Sequence, residues 1–259
     1  MANPTVGSFT GPQTLRQLAK RRHFNSQLTG FLLPYAVADY AYNVFEPMRD
    51  DTVLPGLTVT GADAGTTAFA YSVADNIPTY RAVTNGDATY VQIKGDAVAF
   101  NASKAPGMEV VFKVDVVTNF QMEAGFCDPL TDDTLPAVTD IDTPATGNGA
   151  TDLAVYHIDT GETLTTSAFV TDGGTAAAAK TNISTFAPTA GQYHKIVIQL
   201  FRGTNVGGFC IIDDNPQLMA AVATGPNQNV LMRPHLIFGR LSAADKTLDI
   251  KYIRTWQDR

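Results

Sequence analysis

Tyr193-His194-Lys195-Ile196-Val197-Ile198-Gln199-Leu200-Phe201-Arg202 opens the stretch whose reading decides the fold. Gly203-Thr204-Asn205-Val206-Gly207-Gly208 turns it, and Phe209-Cys210-Ile211-Ile212-Asp213-Asp214-Asn215-Pro216 brings it back. Lys246-Thr247-Leu248-Asp249-Ile250-Lys251-Tyr252-Ile253-Arg254-Thr255-Trp256-Gln257 closes it. Apolar alternation joined through a Gly-rich hairpin predicts antiparallel strands.

The same texture extends toward the N-terminus. Met108 to Val117 alternates cleanly, with Met108, Val110, Phe112, Val114 and Val116 on one face and Glu109, Val111, Lys113, Asp115 and Val117 on the other. Period two sends these sets to opposite sides of a sheet, one side core and the other wet or concave. Leu57–Thr60, Phe69–Val73, Arg81–Val83, Thr89–Lys94, Gln121–Phe126, Asp152–Asp159, Thr163–Thr171 and Thr181–Phe186 are further strand candidates, with Asn85-Gly86-Asp87 and Asp172-Gly173-Gly174 as turns. Roughly twelve to fourteen strands at this spacing predict an all-β, antiparallel two-sheet jelly-roll sandwich over 51–259. Asp128 to Ala150, rich in Asp, Pro and Gly, reads as a long loop with a role in function or at an interface.

Residues 1–50 read differently, as an N-terminal arm. Pro4, Gly7, Gly11 and Pro12 keep its start extended. Gln13 to Gln27 then shows the one helical pattern, with Leu15, Leu18 and Phe24 near one face and Lys20, Arg21, Arg22 and His23 elsewhere. Phe31, Tyr35, Tyr40, Tyr42 and Phe45 follow without a clean period, so the arm is expected to lie across its own sandwich or a neighbouring subunit. The plainer reading of its basic cluster is a solvated helix face.

The chain has 259 residues, 44% hydrophobic and 17% charged, with a formal net charge of -7. That length fits one large β domain or two smaller ones, and allows a sizeable core. An acidic balance argues against nucleic acid as partner, since phosphate binding needs clustered cations. The most apolar stretch, Phe31 to Val37, is broken by Pro34 and too short to span a bilayer. With no basic start and apolar run at Met1–Gly7, the expectation is a protein that remains in the cytoplasm where it is made. Cys127 and Cys210, each beside a Phe, read as buried thiols, with pairing left open.

The aromatic-His-Lys strand, the Gly-rich turn, the Ile211-Ile212-Asp213-Asp214 return and the closing Thr247 to Gln257 together resemble the concanavalin A-like (laminin G-like, glucanase-like) jelly roll. The resemblance is close over Gln192–Gln257 and looser over Leu54–Arg259; Asp214 stands where a turn glycine is common. In style the chain is also similar to structural proteins of tailed bacteriophages that use this jelly roll. That resemblance implies a non-enzymatic virion protein, a capsid decoration (cement) protein assembled in the host cytoplasm. Its implied partners are the major capsid protein and further copies of itself, as a trimer. The contacts would fall on Leu15, Leu18, Arg21, Arg22, Phe24, Phe31, Tyr35, Tyr40 and Tyr42. The alternative is a carbohydrate-binding, lectin-like module of a head fibre or tail, with Tyr80, Tyr90 and Tyr156 as candidate stacking aromatics.

Catalytic chemistry finds little footing. A glucanase of this fold would place paired carboxylates about 5 Å apart for retention. Glu109 and Asp115 share a strand face but stand about 20 Å apart by strand rise, with Lys113 between them. Glu123 is expected to make an ordinary surface contact with Lys113 or Asp115. Asp128, Asp132 and Asp133 are candidate Ca²⁺ ligands, although solvated loop carboxylates are the plainer reading. No cofactor is expected, and His157 and His194 read as structural.

Overall fold

The computed structural model describes residues 40–45, 57–60, 69–74, 76–84, 90–95, 100–128, 136–138, 149–161, 166–171, 180–182, 186, 188–201, 208–219, 226–227, 229–240 and 246–258. Its strands, numbered in chain order, form two eight-stranded antiparallel sheets. The first runs β14 (Asn215–Met219), β13 (Gly208–Ile212), β12 (Tyr193–Leu200), β7 (Gly107–Val114), β16 (Lys246–Asp258), β4 (Ile77–Thr84) and β3 (Phe69–Ala74). In the same sheet β1 (Tyr40–Phe45) pairs with the C-terminal half of β16, Tyr40 opposite Asp258 and Phe45 opposite Ile253. The second runs β11 (Lys180–Asn182), β10 (Thr166–Thr171), β9 (Leu153–Asp159), β8 (Phe120–Cys127), β15 (Leu231–Arg240), β5 (Tyr90–Gly95) and β2 (Leu57–Thr60), with β6 (Phe100–Asn101) beside the start of β15. The all-β jelly-roll sandwich expected from the sequence is the fold observed.

Alternation builds the core. Phe112 from the first sheet meets Phe120, Phe126 and Phe238 from the second, with Tyr80 and Tyr156 also fully buried. Burying one side chain of this size contributes roughly 1.5–3 kcal/mol. Strand β16 breaks its own period: Leu248 and Ile250 face the core, the register shifts between Ile250 and Tyr252, and Ile253 faces the core again. The bulge absorbs Lys251, which points to solvent, and lets both halves of a long strand bury their apolar residues. The β13–β14 hairpin turns on Asp213 and Asp214 alone, with φ of 46° and 70°. Two consecutive positive φ values are the type I′ geometry that matches strand twist. Asp213 stabilises it by accepting from the Lys195 backbone N–H at 2.8 Å and contacting His194 Nδ1 at 2.6 Å.

Three expectations change. The strand from Met108 ends at Val114: the Asp115 N–H still donates to the Thr247 carbonyl, but its side-chain Oδ1, in place of a backbone carbonyl, accepts from the Thr247 N–H; Val116 is exposed. Tyr40–Phe45, read as arm, are strand residues of the first sheet. Glu123 makes no surface contact with Lys113 or Asp115: β7 and β8, adjacent in sequence, lie in different sheets, and Glu123 is completely buried. Among the described residues no helix is long and apolar enough to cross a membrane.

Candidate functional site

Strand β8 turns Phe120, Met122, Ala124 and Phe126 into the core and so presents Gln121, Glu123 and Cys127 on the outer face of the second sheet. Register then assembles a polar cluster there. His157 of β9 stands opposite Glu123, and Asp159 opposite Gln121. On the other side, β15 offers His235 one diagonal step from Glu123, and β5 offers Gln92 diagonally to His235. Ala137, Val138 and Ala150 pack with Cys127, Leu153 and Val155 over part of this face.

Glu123 is the hub, with four donors on its two oxygens. Oε1 accepts from the Ala137 N–H at 2.9 Å and faces His235 Nε2 at 2.7 Å. Oε2 accepts from the Val138 N–H at 2.9 Å and faces His157 Nδ1 at 3.1 Å. A carboxylate has about four lone-pair sites, so this one is saturated. Gln121 Nε2 donates to Asp159 Oδ2 at 3.2 Å and lies 3.1 Å from His157 Nε2, while Tyr90 donates its hydroxyl to Gln121 Oε1 at 2.7 Å. An amide nitrogen only donates, so His157 Nε2 accepts and Nδ1 is the nitrogen that donates to Glu123. Gln92 Nε2 lies 3.0 Å from His235 Nδ1, and Thr60 bonds the other end of that amide. A hydroxyl serves either orientation of the amide, so His235 keeps two partners whether or not it carries a charge. Tyr90 lies across Gly239, where a Cβ would come within 2.1 Å of its ring.

Burial alone would raise the Glu123 pKa, but hydrogen bonds from His157 and His235 hold it at about 2. Burial would likewise lower that of His235; Cys127 and Glu123 beside it reverse the sign and lift it well above the ordinary histidine value. Burial, helped by Asp159 and Glu123, pushes the Tyr90 hydroxyl up to about 12. The cluster is therefore a closed ionic knot. Glu123, with all four acceptor sites filled, has no free lone pair of the kind a general base needs. What it does is pin residues 137–138 to the sheet.

Other acidic groups among the described residues are also engaged. Asp128 accepts from the Thr151 N–H and hydroxyl, and Asp152 from the Asn227 N–H. Of the candidate Ca²⁺ ligands, Asp128 thus spends both oxygens on Thr151, while Asp132 and Asp133 lie outside the described residues. Among the described residues no group of three or more His, Cys, Asp or Glu is arranged to hold an ion. On the outer face of the first sheet Arg81 grips Asp249 with two bonds, at 2.7 and 3.0 Å. Glu109 accepts from the Tyr252 hydroxyl at 2.6 Å, and burial raises its pKa against the pull of Tyr252 and Arg254. Glu109 and Glu123 stand on opposite outer faces of a sandwich whose sheets stack about 10 Å apart, so they are no carboxylate pair.

Several site expectations are relocated. Tyr80 and Tyr156 alternate inward and are 1% exposed, and Tyr90 is tied to Gln121, so none offers a free stacking face. Phe201, at the end of β12, is 41% exposed, the one exposed aromatic among the residues whose burial is described. Cys127 and Cys210 are free buried thiols: Cys127 lies on the outer face of the second sheet and Cys210 in the core from the first. Leu15, Leu18, Arg21, Arg22, Phe24, Phe31 and Tyr35 lie outside the described residues. Tyr40 and Tyr42 enter as backbone partners of Asp258 and Trp256. His235 was not singled out by the sequence. Its signal was a polar side chain within an apolar strand, but its proximity to Glu123 depends on strand order.

The two antiparallel sheets form a concanavalin A-like sandwich. Three solved structures share it. The carbohydrate recognition domain of Emp47p aligns over 85% of this chain and 97% of its own, with TM-score 0.56 and 9% identity. The exoplasmic/lumenal domain of VIP36, in a form bound to Ca²⁺ and Man3GlcNAc, aligns over 83% and 88%, with TM-score 0.55 and 12% identity. Peanut lectin aligns over 84% and 97%, with TM-score 0.52 and 9% identity. At these identities the likeness establishes the fold. No family model and no curated protein matches the sequence. Neither the fold nor these structures points to a virion, a capsid or a trimer.

Proposed function

We propose that this chain is a non-enzymatic, lectin-like module that binds carbohydrate. The observation that carries the reading is the match, over more than four-fifths of this chain, to domains whose business is carbohydrate recognition. Fold alone does not specify function, and the site chemistry supplies the second support. The buried carboxylate–imidazole cluster is spent on holding the sheet's cover in place, which suits a rigid binding scaffold better than turnover. Phe201 is the candidate platform, because an exposed ring offers an apolar face to the C–H face of a sugar. VIP36 was captured with a mannose-containing glycan, which makes such glycans the first ligands to try here. Decoration of a capsid, with a major capsid protein as partner, draws no support from the observations above.

A glycan array probed with the full chain tests the reading, once with Ca²⁺ and once with chelator. The expected result is a restricted set of glycans bound above background. A folded protein that binds none of the glycans under either condition overturns it.

A further inference from the structure

Gln199 stands near the end of β12, where Ile198 and Leu200 on either side of it turn into the core. It is buried, and both ends of its amide are engaged. Oε1 accepts from Trp256 Nε1 at 2.7 Å. Nε2 donates to the Ala105 carbonyl at 2.7 Å and the Leu200 carbonyl at 2.9 Å, with the Pro106 carbonyl at 3.3 Å. An indole N–H only donates and a carbonyl only accepts, so one orientation of the amide satisfies all of these groups. Ala105 ends the short 3-10 turn Ala102–Lys104 at φ 48° and ψ 55°. A residue other than glycine keeps that left-handed conformation only where its surroundings hold it, and Gln199 holds the Ala105 carbonyl. The far end of the turn is tied as well: the Asn101 N–H donates to Gln257 Oε1 at 2.9 Å, and Asn101 Oδ1 accepts from the Ser103 N–H at 2.9 Å.

We infer that Gln199 is the positioning residue of the Phe201 platform. The inference rests on the carbohydrate reading above, in which the Phe201 ring meets the sugar. Phe201 lies just past the end of β12. The ladder with β7 carries on to its doorstep: Gln199 is opposite Gly107, and the Leu200 N–H donates to the Pro106 carbonyl at 3.0 Å. Beyond that bond the chain is held through Gln199, which grips the carbonyl of the peptide joining Leu200 to Phe201. A peptide unit is planar, so fixing its oxygen also fixes the N and Cα of Phe201. The same amide anchors that peptide to the 105–106 backbone on one side and to Trp256 on the other. A ring that must be ordered when ligand arrives binds more weakly than one already in place. Gln199 thus raises affinity for the sugar through Phe201, without touching the sugar.

The test uses the full chain as parent, Gln199→Leu, Phe201→Ala and the double variant. Titration with the strongest array glycan should give several-fold weaker binding for Gln199→Leu. The same substitution should add nothing once Phe201 is alanine, because its effect passes through that ring. Equal losses in both backgrounds would mean a general structural effect and overturn the inference. A second readout needs no glycan: the {1H}–15N NOE of the Phe201 amide should fall in Gln199→Leu while the Ile196 and Ile198 amides keep theirs. An unchanged Phe201 amide overturns the inference. If the parent binds no glycan, the carbohydrate reading fails, and the Phe201 amide still decides whether Gln199 positions that residue. Gln199→Glu serves where the leucine variant does not fold. It keeps an acceptor for Trp256 and donates to the carbonyls only while protonated. Relative to the parent at each pH, its Phe201 order should therefore fall as pH rises through the titration of that carboxyl; order that matches the parent at every pH overturns the inference.

Discussion

Replacing Glu123 by Gln keeps the shape of the hub and removes its charge. One carboxylate oxygen becomes an NH₂ group, and that oxygen had accepted two donors, a backbone N–H and an imidazole N–H. Each hydrogen bond to a charged group is worth roughly 1.5–3 kcal/mol. The imidazole can shift its proton to the other nitrogen and recover part of that loss, whereas the backbone N–H cannot. Breaking one partner of a buried ion pair costs about 3–5 kcal/mol, and the same range is expected here. Urea unfolding read by circular dichroism measures it as a lower midpoint at unchanged slope. Hydrogen exchange adds the local signature, with the Ala137 and Val138 amides losing protection while β7 and β12 keep theirs. A loss below about 1 kcal/mol, or unchanged protection at 137–138, would refute the claim that Glu123 holds the cover on the sheet.

Other expectations follow from the same geometry. His235 is raised in the folded state, so its stabilisation is complete below its unfolded value of 6.5 and is lost as pH rises through about 10. Glu123 is lowered, so its contribution is complete above 4.5 and is lost as pH falls through about 2. Thermal melts should therefore be highest between about pH 4.5 and 6.5; His235→Gln should flatten the alkaline decline, and an unaltered decline would remove His235 from the account. Gly239→Ala should cost about 1–3 kcal/mol through overpacking against Tyr90, and Tyr90→Ala in the same chain should relieve part of it; additive effects in a double-mutant cycle would contradict the contact. Cys127 and Cys210 are both 0% exposed, and burial pushes the Cys210 thiol up to about 12; a thiol reagent should find neither cysteine in the native protein and both after unfolding. An intact disulfide after unfolding would be the contrary result.

The fold was legible because its signals are local. The alternation of Met108–Val114, the Gly-rich return after Leu200 and the Asp213-Asp214 turn each involve residues close in sequence. Even the bulge in β16 leaves a trace, since apolar residues at 248, 250 and 253 break period two once. The candidate site was not legible, because it depends on strand order. Glu123, His157 and His235 come from β8, β9 and β15, and chain order places β15 far from β8 although the two are hydrogen-bonded neighbours. The same limit misassigned Glu123 to the surface: alternation gives which residues share a face but not what covers that face. Tyr80 and Tyr156 went wrong in the same way, as an aromatic at an alternating position fits the core and an exposed face equally well.

The central claim is carbohydrate binding, and calorimetric titration tests it most directly. The strongest array ligand is titrated into the full chain and into Phe201→Ala, with melting temperatures recorded for both. The account predicts saturable binding by the parent chain and at least a tenfold weaker dissociation constant for the variant, equivalent to about 1.4 kcal/mol, with the melting curve showing the variant still folded. No heat of binding from any glycan to a folded parent chain would contradict it.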